Sequence, residues 1–332
     1  MNIIDIAQIC GLSKSTVSRY LTGGSVSAKS AQKIARAIEQ TGFEVNASAS
    51  RLKTNRSNLI GVLIDGIESV SITRTLTGVN KACREHGFLP FVVFNEEEGH
   101  GEIEGMRALV RQGVDGIVYG SMCVTDAQRS YLNSCGKPAL ILGQSDDELP
   151  YCKVDDFAAG HLLGEHIRQT GAHNIVYLSF PRSNRAIGAE RSEGFLSAFE
   201  FHGAVANDRP RVTLIDTGYA YTDDTDAAID RALALEPDCI VAASDRFVLK
   251  ILEHAAHQGL RIPEDCLLAG FGNHPASAMP PVSLTSIDFD YRALGHDAAE
   301  RIIKLIQGDK IPHANTGYPF NLVVRASTGG NR

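Results

Sequence analysis

From Leu59 onward the chain alternates short, wholly apolar runs with helical segments, and this alternation runs through twice. The first round reads strand Leu59-Ile60-Gly61-Val62-Leu63-Ile64, helix about 72–87, strand Leu89 to Phe94, helix around 102–112, strand Gly116 to Tyr119, helix around 125–134 and strand Ala139 to Leu142. The second reads helix 156–170, strand Asn174 to Ser179, helix 189–202, strand Val212 to Ile215, helix 223–235, strand Cys239 to Ala242, helix 245–258, strand Cys266 to Gly270, helix 291–307 and a closing strand near 320–325. Runs without polar alternation suit strands covered by helices on both faces. Repeated strand–helix–strand units dictate parallel, doubly wound sheets in an α/β core, since each crossover helix returns the chain in the same direction. Two such subdomains are expected, about 58–155 and 156–290, with a C-terminal crossover. Open sheets bind ligands outside the carboxyl ends of their strands, so two facing sheets put the site in the cleft between them.

The first 57 residues follow a different pattern. Ile3, Ile6, Ala7 and Ile9 supply the inner stripe of a short helix, and Val17 with Leu21 that of a second. Gly11 permits the tight left-handed turn between them. Ser13 is placed to cap the second helix, its hydroxyl accepting from an otherwise unpaired amide. Lys14, Ser15, Thr16, Ser18 and Arg19 are left as one polar, partly cationic face, the surface a helix-turn-helix offers to the major groove. A third helix runs from a Ser27 cap to a Gly42 stop, with Ala31, Ile34, Ala35 and Ile38 inward. An all-α helix-turn-helix headpiece over 1–45 results, followed by a polar linker over 46–57 with one large apolar residue, Leu52. Solvated hairpins and linkers share this composition, so other features must carry DNA binding.

Charge is one. The chain carries −7 overall, but residues 1–57 hold 8 Lys/Arg against 3 Asp/Glu, or +5, and the remainder holds 24 against 36, or −12. A basic head on an acidic body is expected when only the head meets phosphate. No run approaches the roughly 20 apolar residues of a membrane span, and no signal-peptide pattern leads the chain, so a cytoplasmic location on the nucleoid is expected. The seven cysteines lack paired spacing and read as reduced, buried thiols. No nucleophile–base spacing, dinucleotide loop, phosphate loop or metal signature is present, so neither an enzyme nor a cofactor is expected. A periplasmic sugar-binding protein would show a signal peptide and no basic head.

Leu12-Ser13-Lys14-Ser15-Thr16-Val17-Ser18-Arg19 and Gly42-Phe43-Glu44-Val45-Asn46 resemble the headpiece of the LacI/GalR family of bacterial repressors. Ala189-Glu190-Arg191-Ser192-Glu193-Gly194-Phe195, Ala243-Ser244-Asp245, Leu267 through Asn273 and Pro281 through Ile287 resemble that family's core motifs, in order. The resemblance implies a core of the periplasmic-binding-protein type over 58–332 and an operator-binding, ligand-gated homodimer. It places Lys14, Ser15 and Arg19 on bases, and Ser13, Thr16 and Ser18 on phosphates. It starts a hinge helix at Asn46, makes Leu52 a minor-groove wedge, and sets Lys53 and Arg56 on backbone phosphate. A hinge of about nine residues is too short to be stable alone and should fold only against its twin on an inverted-repeat operator. With no heptad tail beyond Ala326, a dimer rather than a tetramer is expected.

The resemblance also implies that Arg191, Asp245 and Asn273 face the effector. A surface ion pair for Arg191 and a helix cap for Asp245 are the plainer alternatives. Asp65, Glu68, Ser69 and Ser71 follow the first core strand, an acidic, hydroxyl-rich loop with no cation before Arg74. Such groups suit a neutral polyol such as a sugar, and the pattern Gly66-Ile67-Glu68-Ser69 resembles sucrose and trehalose operon repressors. A phosphorylated sugar would need more cations, for which Arg74, Arg182 and Arg185 are candidates. A nucleoside or purine would need stacked aromatics, absent from that loop. The expected function is repression of a carbohydrate operon, relieved by a small sugar. Corepression or activation remain as alternatives.

Overall fold

The computed structural model describes residues 1–21, 24–43, 56–65, 69–95, 101–200, 210–218, 223–279 and 283–329. Asn46, Leu52 and Lys53, along with Gly66, Ile67 and Glu68, lie outside the described residues. The chain divides into two compact units, Met1–Asn58 and Leu59–Arg332.

The first unit contains α1 (Ile3–Cys10), α2 (Lys14–Leu21) and α3 (Ala28–Thr41). Asn2 opens α1 through a reciprocal cap: its side chain accepts from the Ile4 amide at 2.7 Å, while the Asp5 carboxylate accepts from the Asn2 amide at 2.7 Å. Each bond satisfies an amide the helix leaves unpaired. Gly11 ends α1 and Gly42 ends α3 at φ of 63° and 62°, a left-handed conformation cheap only for glycine. Ile6, Ala7, Cys10, Val17, Ile34 and Ala37 form the core, with Ile3, Leu12, Tyr20, Leu21, Ile38 and Phe43 packed against it. Ile9 and Ala35 are exposed, contrary to the expected inner stripes. The buried stripe of α1 follows 3, 6, 7, 10, so Ile9 falls a third of a turn off it and Cys10 takes the inner position.

The second unit holds β1 (Leu59–Asp65), α4 (Val70–Glu85), β2 (Leu89–Asn95), α5 (Glu102–Arg111), β3 (Gly116–Gly120), α6 (Asp126–Ser134), β4 (Ala139–Leu142) and β5 (Tyr151–Cys152). It continues with α7 (Asp156–Gln169), β6 (Asn174–Ser179), a π-helical turn (Arg185–Glu190), α8 (Arg191–Ser197), β7 (Arg211–Asp216), α9 (Asp223–Leu233), β8 (Cys239–Ala242) and α10 (Asp245–His257). It closes with β9 (Leu267–Phe271), β10 (Thr285–Phe289), α11 (Tyr291–Gln307), β11 (Ala314–Asn315) and β12 (Phe320–Val323). Two six-stranded sheets form, in the orders β11-β5-β4-β3-β1-β2 and β12-β10-β9-β8-β6-β7. Every pair is parallel except β10–β12.

Three details depart from the strand-and-helix reading. The expected helix 189–202 is a π-helical turn followed by α8, which ends at Ser197. The closing strand runs antiparallel at the edge of its sheet, since no crossover helix precedes it to return the chain in the same direction. Strands β5 and β11, two residues each, extend the first sheet beyond β4. The chain thus passes between the lobes at β5–α7, β10–α11 and β11–β12. Each lobe joins its helices by backbone-to-backbone contact through glycine. A Cβ on Gly78 of α4 would lie 2.1 Å from the Arg292 carbonyl of α11, and one on Gly160 of α7 would lie 2.1 Å from the Arg191 carbonyl of α8.

Candidate functional site

The carboxyl ends of β8, β9 and β10 converge on Arg191, the first residue of α8. Its guanidinium is buried: Nε and Nη2 both donate to Asp156 Oδ1, at 2.9 and 2.5 Å, and Nη1 donates to the Ala243 carbonyl at 2.6 Å. The rings of Phe271 and Phe289 lie 4.7 and 5.3 Å from its centre. Burial opposes its charge, but the Asp156 carboxylate, with Tyr291 and Tyr177 nearby, holds its pKa above the ordinary arginine value. Arg191 is therefore no surface ion pair. Three of its five N–H groups are spent on orientation, in a planar fork that only arginine provides.

Asp245 is also buried, and it is not the cap of α10: Ser244 fills that role, its hydroxyl accepting from the Arg246 amide at 3.3 Å. Asp245 Oδ2 accepts from the His274 amide at 2.8 Å and the Ser277 hydroxyl at 2.7 Å, and Oδ1 from the Ser286 hydroxyl at 2.8 Å. Burial nonetheless raises its pKa above the usual carboxylate value. Ser286 also accepts from the Asn273 amide at 2.9 Å, so Asp245 anchors the turn that carries Asn273. That turn is left-handed at Gly272 (φ 114°) and Asn273 (φ 45°), and asparagine tolerates this region better than most side chains. The Asn273 side-chain oxygen accepts from Arg325 at 2.6 Å.

In the first lobe, Asp65 ends β1. Its Oδ2 accepts from the Met122 amide at 2.8 Å, while Oδ1 is buried with no hydrogen-bond partner. Burial raises its pKa, against the Met122 amide and the nearby Ser121 hydroxyl, which favour the charged form, with the Glu102 charge adding a little. Ser69 and Ser71, at the start of α4, share a 2.6 Å hydrogen bond. Arg74, one turn on, spans to the second lobe, donating to the carbonyls of Gly272 at 3.0 Å and Asn273 at 2.9 Å and to Asp288 at 3.3 Å. The other candidate cations are also engaged: Arg182 pairs with Glu193, and Arg185 lies 3.8 Å from Glu190. The structure thus joins Asn273 to Asp245 and, through Arg74, to α4, and sets Arg191 on the strand ends beside them.

The inward-facing residues that sequence reasoning missed are polar. Asp156, Gln144, Asn184, Lys153 and Glu190 are ordinary helix-start or loop residues in sequence, and their partners lie tens of positions away. Among the described residues, no group of His, Cys, Asp and Glu could hold a metal ion. Burial pushes the Cys83 thiol to about 11 and those of Cys152 and Cys266 to about 12, which keeps them protonated and unreactive at neutral pH.

In the first unit, Lys14, Ser15 and Arg19 are exposed along α2, with Thr16 and Ser18 partly so. Ser13 Oγ accepts from the Thr16 amide at 3.2 Å and lies 2.9 Å from Ser15 Oγ, so it does cap the helix. Arg56 is exposed at the end of this unit.

A family model for bacterial regulatory proteins of the lacI family matches residues 2–46, and one for a periplasmic binding protein-like domain matches 165–328. The sucrose operon repressor of Staphylococcus xylosus is 31% identical over 314 residues, covering 92% of this chain and 94% of that protein. A lac repressor dimer bound to operator and an anti-inducer superposes with a TM-score of 0.85 at 22% identity, covering 99% of both chains. The regulator CelR in complex with cellobiose gives 0.70 at 22%, covering 98% of this chain and 99% of that one. Among the described residues no helix is long and apolar enough to cross a membrane. A capped helix-turn-helix, two parallel-dominated lobes with polar strand ends, and a relative alike over nearly its whole length lead to one assignment: the chain belongs to the lacI family of bacterial regulatory proteins, DNA-binding transcriptional regulators rather than enzymes.

Proposed function

We propose that this regulator represses a carbohydrate-utilisation operon and releases its operator when a small neutral sugar, sucrose first among candidates, enters the cleft of the core. The observation that carries the reading is the charge balance of the cleft. Arg74, Arg182, Arg185 and Arg191 already face carboxylates or carbonyls, whereas Asp65 keeps a buried carboxylate oxygen without a donor. A sugar hydroxyl satisfies such an oxygen, whereas a phosphate would bring a second anion to it. The likeness to a sucrose operon repressor and to a cellobiose-binding regulator supports the same ligand class.

In this reading the effector contacts are Asp65, Ser69, Ser71, Arg191, Asp245 and Asn273. The DNA contacts are Ser13, Lys14, Ser15, Thr16, Ser18, Arg19, Asn46, Leu52, Lys53 and Arg56. The headpiece spans 1–45, the hinge 46–57 and the effector and dimerisation core 58–332. The protein works as a homodimer on an inverted-repeat operator, in the cytoplasm at the nucleoid. Isothermal titration with sucrose, trehalose, cellobiose, their phosphates and adenine tests it. Sucrose or a related neutral sugar should bind and lower operator affinity. Binding by adenine alone would overturn the carbohydrate reading.

A further inference from the structure

The π-helical turn Arg185–Glu190 belongs to the second lobe and leads without a break into Arg191. First-lobe side chains grip it at both ends. At its start, Gln144, which follows β4, donates from Nε2 to Asn184 Oδ1 at 2.8 Å and to the Met122 carbonyl at 3.2 Å. The Ala186 amide donates to Gln144 Oε1 at 3.1 Å, so one amide side chain reads both a donor and an acceptor of the opposite lobe. Asn184 in turn caps the turn, accepting from the Ile187 amide at 3.0 Å. Gln144 and Asn184 are 5% and 0% exposed, so no water competes for these bonds. At the far end, Lys153 follows β5 and is equally buried; its Nζ meets Glu190 Oε2 at 2.5 Å and lies 3.9 Å from Asp156, the partner of Arg191.

We infer that Gln144 and Lys153 clamp the π-helical turn, and that this clamp holds the lobe arrangement in which the repressor keeps its operator. π-turns are rare and occur frequently at functional sites. Here the turn joins the inter-lobe contact to the arginine beside the cleft, so a ligand that moves Arg191 or the lobes strains Gln144–Asn184 directly. A buried amide pair has two discrete states, made or broken, which suits a switch better than a graded contact. The inference rests on the reading above that the ligand-free protein is the DNA-binding form.

Gln144→Met keeps side-chain volume and loses the bonds; Gln144→Glu keeps an acceptor for Ala186 and loses the donor to Asn184. Operator affinity is measured by fluorescence anisotropy on the full chain without sugar, and sucrose affinity by titration calorimetry. Both variants should bind operator roughly tenfold more weakly, the scale of one lost buried hydrogen-bonded pair. Each should also bind sucrose more tightly, because losing the clamp shifts the lobe equilibrium toward the sugar-bound arrangement. Lys153→Met should act in the same direction. Unchanged or tighter operator binding in variants that still melt cooperatively overturns the clamp. If wild-type protein binds no sucrose, the choice of sucrose fails, and the operator measurement alone decides the clamp.

Discussion

Two buried carboxylate groups of the core are used in opposite ways. Asp156 is spent on structure: it is buried and takes two bonds from Arg191. Arg191→Met should therefore destabilise the core by about 3 kcal/mol, because it removes both hydrogen bonds to a buried carboxylate and leaves only Lys153, 3.9 Å away, to balance its charge. Urea unfolding of the variant checks this. Asp65 is held in reserve, with one oxygen unsatisfied and a pKa raised by burial above the usual 3.8. A raised native pKa means that the folded state binds the proton more tightly than the unfolded chain. The cost of charging Asp65 therefore appears as pH rises from 3.8 through the native value, and it persists above that. Asp65→Asn should be more stable than wild type at neutral pH, with the gain fading in acid below 3.8, while its sugar affinity falls. Denaturation across pH paired with calorimetry tests both halves. A variant that gains stability and keeps full sugar binding would remove Asp65 from the effector contacts.

At the scale of elements, what was legible in sequence followed the strength of the local pattern. Runs such as Leu59–Ile64 and Cys239–Ala242 are apolar throughout and became central strands. The turn Arg185–Glu190 left no such trace, since its residues continue the helical periodicity into α8 and only the hydrogen-bond ladder differs. Strands β5 and β11 are two residues long, too short for any period to show. Motif resemblance singled out Arg191, Asp245 and Asn273 but not their partners, because Asp156, Ser277 and Arg325 meet them only through the fold. Glycines inside helices were a signal of close approach left unread. Gly160→Ala would push a methyl to 2.1 Å from the Arg191 carbonyl, and Gly78→Ala would do the same to the Arg292 carbonyl. Each should cost about 1–3 kcal/mol through overpacking. Gly160→Ala alone should also weaken sugar binding, because it displaces the backbone of Arg191. Thermal melts and sugar titration of the two variants separate packing from site geometry. Equal sugar affinities would show that α8 absorbs the shift.

For the whole molecule, the division of charge decides how the regulator meets DNA. A head of +5 is joined to a remainder of −12, so phosphate attraction is confined to the head while the body repels the duplex. Binding driven by counterion release falls linearly on a log–log salt plot, by about 0.9 for each phosphate contact. Contacts to bases and to backbone then separate by how they respond to sequence and salt. Arg19 lies on the exposed face of α2, and Arg56 at the end of the first unit. Arg19→Ala should cost about 1–3 kcal/mol per half-site on the operator and much less on a scrambled duplex, because a lost base contact is lost only where the base was right. Arg56→Ala should weaken both duplexes alike and flatten the salt slope by about 1 per protomer, hence about 2 for a dimer. Anisotropy titrations of both variants, on both duplexes, between about 50 and about 200 mM salt resolve these outcomes. Equal losses on the two duplexes for Arg19→Ala would make it a phosphate contact and leave sequence choice to Lys14 and Ser15. A slope change of about 1 rather than 2 for Arg56→Ala would show that one headpiece, not a pair, engages DNA.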